Sequence, residues 1–102
     1  MKNKKLTIIQ ESVLAQIPLG IGSNVQSKEI AERTGLSKRD VMAVISTLII
    51  DHSIPIGAGR SEGRYGYFRI TNENERIEAI VPLKNTVITM QQRIDRLEKM
   101  KI

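Results

Sequence analysis

Ser27-Lys-Glu-Ile-Ala-Glu-Arg-Thr-Gly35-Leu-Ser37-Lys-Arg-Asp40-Val41 puts a helix start, a glycine stop and a second helix start in one short stretch. Ser27 is a good helix cap, and Ile30 and Ala31 give the segment 28–34 its apolar face. Gly35 can take the left-handed conformation that ends a helix. Leu36 follows as an apolar plug between the two helices. Ser37 with Asp40 has capping-box spacing, so a further helix starts at Lys38 and runs to about His52. Its inward stripe is Val41, Ile45, Leu48 and Ile49, with Val44 beside it. Lys38, Arg39, Met42, Ala43 and Ser46 are left on its outer face.

Downstream, Ile54-Pro-Ile-Gly57 and Tyr65-Gly-Tyr-Phe-Arg-Ile70 read as two short strands of a hairpin. The loop between them, Gly57-Ala-Gly-Arg60-Ser-Glu-Gly-Arg64, carries two arginines among glycines. Upstream, Leu6, Ile9, Val13, Leu14 and Ile17 recur at intervals of three and four, which predicts a helix over 6–17 stopped by Pro18. Thr71 can cap a fourth helix. Within it Ile80, Leu83, Val87, Met90, Ile94 and Leu97 form a heptad seam. Pro82, near the start of that seam, predicts a break or kink after an acidic segment of Glu73, Glu75 and Glu78, read as a solvated face. The expected organisation is a domain over 1–71 and a helical dimerisation arm over 72–102.

The chain has 102 residues, 16 Lys and Arg against 11 Asp and Glu, and no cysteine. Disulfides, thiolate metal sites and thiol catalysis are thereby excluded. Through Thr71 there are ten basic and six acidic side chains, and beyond it six and five, so the positive excess lies with the first 71 residues. A basic excess favours polyanions. His52 is the only histidine, and no nitrogen or sulfur donors accompany it as a metal site would need. The acids show no nucleophile or base constellation, so no enzyme, metal or cofactor is expected. No apolar run approaches the roughly 20 residues of a membrane span. The basic start Met-Lys-Asn-Lys-Lys leads into an amphipathic segment with no small-residue cleavage site, and a cytoplasmic protein is expected.

Two capped helices across a glycine turn, followed by a basic hairpin, have the shape of a helix-turn-helix with a wing. On Ser27 to Val41, Leu48, Ile54-Pro-Ile-Gly57 and Gly66-Tyr-Phe-Arg-Ile70 the chain resembles the winged helix-turn-helix superfamily. Among its members it is most similar to the N-terminal DNA-binding domain of biotin-ligase repressors and to small winged-helix proteins of bacteria and phages. With the first helix included, the resemblance covers about two-thirds of the chain. It implies a mainly α fold with a small β-hairpin. It also implies that the helix from Lys38 enters the major groove of double-stranded DNA, with Lys38, Arg39, Met42, Ala43 and Ser46 on its exposed face and Arg60 and Arg64 at the wing. Ser37 caps that helix, and Lys28 adds a phosphate contact.

One departure bears on function. The middle of the presumed reading face is Met42, Ala43, Ser46 and Thr47, whereas bidentate base reading is best served by Arg, Asn or Gln. Arg39 alone supplies one. The expectation is a homodimeric transcriptional regulator of phage or plasmid type, paired through the seam from Ile80 to Leu97. Its half-sites would lie about one helical turn or a multiple apart. The rival expectation keeps the fold but makes it a protein–protein adaptor or a replication accessory, with Met42, Ala43, Thr47 and Ile50 as the docking patch.

Overall fold

A computed structural model of the chain describes residues 5–59 and 65–102. Its elements are α1 (Ile8–Ala15), α2 (Ser27–Thr34), α3 (Lys38–Ile50), β1 (Ile56–Gly59), β2 (Gly66–Arg69) and α4 (Glu73–Lys99). This is a mainly helical fold with one two-stranded antiparallel hairpin and a long C-terminal helix, the class expected from the sequence.

Short polar side chains set the helix boundaries, at positions that shift some of the expectations. Thr7 caps α1: its Oγ1 accepts from the Gln10 N–H at 3.1 Å, while Gln10 Oε1 accepts from the Thr7 N–H at 2.8 Å. Gln26, in place of Ser27, is the cap of α2, because its backbone is extended and its N–H donates to Glu29 Oε1 at 3.1 Å. Ser27 is then the first helical residue. Gly35 ends α2 with φ of 80°, and its N–H donates to the Ala31 carbonyl. Ser37 Oγ accepts from the Asp40 N–H at 3.0 Å and starts α3. Asn72, one residue beyond Thr71, caps α4 by accepting from the Glu75 N–H at 2.9 Å. From there α4 runs through Pro82 as one helix, so of the expected break or kink the break does not occur. Pro82 removes one helical donor, and its half-exposed position leaves water free to replace that bond.

The core joins the first three helices to the hairpin: Val13, Ile17, Ile30, Val41, Ile45, Leu48 and Ile56 are buried together. Leu6, Leu14, Ala31, Leu36 and Val44 pack at its margin. Two residues assigned inward by periodicity are exposed. Ile9 is exposed on α1, and Ile49 is 40% exposed on α3. Each lies at the edge of its helix's apolar arc, to one side of the buried positions.

The strands pair Ile56 with Arg69, Gly57 with Phe68, Ala58 with Tyr67 and Gly59 with Gly66. Alternation along this register turns Ile56 and Tyr67 to the helical core, and Gly57 and Phe68 to α4. Phe68 is fully buried. A Cβ at Gly57 would stand 2.7 Å from Ala79 Cβ and 2.9 Å from Phe68 Cζ, so the glycine is what lets α4 lie against the sheet. The outer edge of β2 is covered by the α1–α2 connection. Val25 exchanges two backbone bonds with Tyr67, the Arg69 N–H donates to the Pro18 carbonyl, and the Gly20 N–H donates to the Arg69 carbonyl. That edge is thus closed to pairing with another chain.

Candidate nucleic-acid interface

The residues expected to contact DNA divide into groups once α3 is built. Arg39, Ala43, Ser46 and Ile50 follow one another at helical spacing, opposite the buried stripe of Val41 and Leu48. All four are exposed, Ile50 at 73%. Lys38 and Arg39 stand in the first turn, immediately after the Ser37 cap. Asp40 in the same turn sits where the helix dipole favours an acid. Its carboxylate does not complete a capping box, being one methylene shorter than the preferred Glu.

Lys28 is exposed in the first turn of α2, two residues after Gln26, and the segment before that helix packs on the hairpin. The link is Gly66, whose backbone lies so close to Val25 and Gln26 that an added Cβ would come within 2.7 Å of the Val25 carbonyl carbon. Its φ of 114° is also one that L side chains rarely adopt. The segment leading into α2 and the loop-side end of β2, where Gly66 pairs with Gly59, are therefore fixed to one another. Arg60 and Arg64, the expected wing contacts, lie outside the described residues.

Met42 and Ser46 have a second environment that the sequence did not disclose. With Ile49 they line one wall of an open, mainly apolar groove of about 470 Å³. Pro55 and Ala58 of the hairpin region and Ile80 and Leu83 of α4 line the others. Met42, although 54% exposed, thus borders an apolar trough as well as the outer surface. No spacing rule within α3 could reveal this, because the opposite wall is supplied by α4.

No family model, curated protein or solved structure matches the chain. Among the described residues there is no group of three His, Cys, Asp or Glu side chains able to hold a metal ion. No helix among them is long and apolar enough to cross a membrane.

One acid that the sequence placed on a solvated face is buried instead. Glu75 is 8% exposed. Its Oε2 accepts from the Ile21 N–H at 2.9 Å, and its Oε1 accepts from the Thr71 N–H at 2.8 Å and the Thr71 hydroxyl at 2.9 Å. The Ile21 and Thr71 backbone donors hold its carboxyl below the usual carboxylate range; burial opposes them, and the Thr71 hydroxyl adds the least. Through this one side chain α4 is tied to the loop that covers β2. The seam residues lie farther along α4: Ile80, Leu83, Val87, Met90, Ile94 and Leu97 are between 38% and 65% exposed.

Proposed function

We propose that the chain is a winged-helix DNA-binding protein that acts as a small transcriptional regulator, binding duplex DNA as a homodimer. The observation that carries this reading is the exposed stripe Arg39–Ala43–Ser46 on a helix that begins at a capped, basic first turn. Such a stripe fits a major groove, with Arg39 able to address a guanine edge and Ala43 a thymine methyl. Lys28, Lys38, Arg60 and Arg64 serve as phosphate contacts, which position the protein without reading sequence. The seam on α4 joins two copies.

The narrow chemistry of the stripe limits what base reading can contribute. Arg39 is the one bidentate reader on it, so Arg39→Ala should relax sequence preference and weaken a selected site by roughly 1–3 kcal/mol. Lys38→Ala should weaken all duplexes about equally. Selection of duplexes from a random pool, followed by titration of both variants, tests the assignment. If neither substitution alters binding, α3 is not the reading helix.

A second reading is favoured by the exposure of Ile50 and Met42. In it, the same outer face with Thr47 docks a protein, as in an adaptor or replication accessory. Absence of duplex binding at low salt selects this reading.

A further inference from the structure

We infer that α4 pairs in parallel and in register with α4 of a second copy of this chain, as a two-stranded coiled coil. The inference rests on the self-association part of the reading above and is independent of DNA.

Beyond Pro82 every residue of α4 is exposed, so nothing among the described residues covers this stretch. A lone helix of this length is marginal in water, and a continuous line of large apolar side chains along it marks a surface that is covered in use. A second apolar stripe begins with Ile77, Val81 and Ile88 but is interrupted by Lys84 and ends in Gln92 and Asp95. The seam from Ile80 is the one that continues to the end of the helix.

The residue types in the seam specify its partner. Taking Ile80 as heptad position a, the a positions are Ile80, Val87 and Ile94, all β-branched, and the d positions are Leu83, Met90 and Leu97, none of them β-branched. β-branched residues at a with Leu at d favour two parallel strands over three or four. Charge selects the same arrangement. Arg93 falls at g and Glu98 at the following e, the two positions that meet across a parallel in-register pair. Among the described residues neither has an ion pair within its own chain. The two-fold axis makes the contact twice. Antiparallel pairing with all six layers matched would set Thr86 beside Arg93 and Lys84 beside Gln91, with no opposite charges facing.

Ile80 and Leu83 also belong to the groove beside α3. A helix lying on the seam therefore covers the α4 rim of that groove, and parallel pairing brings both α3 helices to the same end of the dimer.

The chain has no cysteine, so single introduced thiols report orientation directly. Leu97→Cys should give a covalent dimer on mild oxidation, and Asn85→Cys, on the helix back, should not. In the antiparallel arrangement Leu97 faces Ile80 of the partner, roughly 25 Å along the helix from the partner's Leu97. Then Leu97→Cys alone fails, and a mixture of Ile80→Cys and Leu97→Cys chains crosslinks instead. Sedimentation equilibrium of the intact chain should give a dimer at tens of micromolar. Arg93→Glu and Glu98→Arg should each weaken dimerisation roughly three- to tenfold, and the double exchange should restore it. A monomer overturns the inference together with the self-association it rests on. A dimer that crosslinks only between Ile80→Cys and Leu97→Cys chains, or a trimer or tetramer, overturns the orientation alone. None of these measurements contains DNA, so the DNA-binding reading stands or falls separately.

Discussion

Glu75 joins α4 to the rest of the molecule through hydrogen bonds that need a charged carboxylate. Its carboxyl is held below the usual range, so it contributes stability that is fully present above the pKa of an unfolded Glu, about 4.3. That contribution is lost as pH falls through the lower folded value. The melting temperature should therefore drop on acidification below about pH 4, and Glu75→Gln should flatten this part of the profile while lowering stability at neutral pH. Thermal melts followed by circular dichroism across this range check both. Glu73 is a useful contrast: its ion pair with Arg76 at 2.7 Å is on the exposed helix surface, so Glu73→Ala should leave the melting temperature nearly unchanged. Periodicity could not separate these acids. Both lie in the first turn of α4, and what sets Glu75 apart is the approach of Ile21 from a distant loop. Gly57 was equally hidden, since its demand for a missing side chain comes from Ala79 and Phe68. Gly57→Val should force α4 off the sheet and cost about 1–3 kcal/mol, or roughly 4–8 °C for each kcal/mol in a domain of this size.

At the level of elements, local chemistry was well written into the chain. The αL glycine at position 35 and the Ser37 cap form as their residue types require, and the inward residues Val41, Ile45 and Leu48 are buried. Gly35→Ala and Ser37→Ala should each destabilise by about 1 kcal/mol, the first through a strained left-handed backbone and the second through an unsatisfied helix donor. Urea denaturation gives both numbers, and a Ser37→Thr control should recover most of the loss. Boundaries were less legible. Gln26 and Asn72 took caps expected at Ser27 and Thr71, because several polar side chains compete for the same donors within two residues. Pro82 did not end its helix: the helical turns continue on both sides of it despite a cost of about 3 kcal/mol for an interior proline. The bridges that seal β2 with Leu19 and Val25 came from a segment whose glycines read only as a loop.

For the whole molecule, the fold class followed from the order of helices, turn and hairpin, whereas the groove between α3, the hairpin and α4 emerged only on assembly. Met42 and Ser46 line this groove while remaining exposed on α3, whereas Arg39 and Ala43 of the proposed reading stripe do not line it. Affinity in this account therefore depends chiefly on basic side chains meeting phosphate, and less on base edges. The most direct test is equilibrium titration of a random-sequence duplex across a series of salt concentrations. With about four or five basic contacts per copy, log K should fall linearly with log salt, by roughly 0.9 for each phosphate neutralised. A slope steeper than about −3 at readily measured low-salt affinity is the predicted result. Undetectable duplex binding at about 50 mM salt, or an affinity indifferent to salt, would contradict the claim that this surface binds DNA.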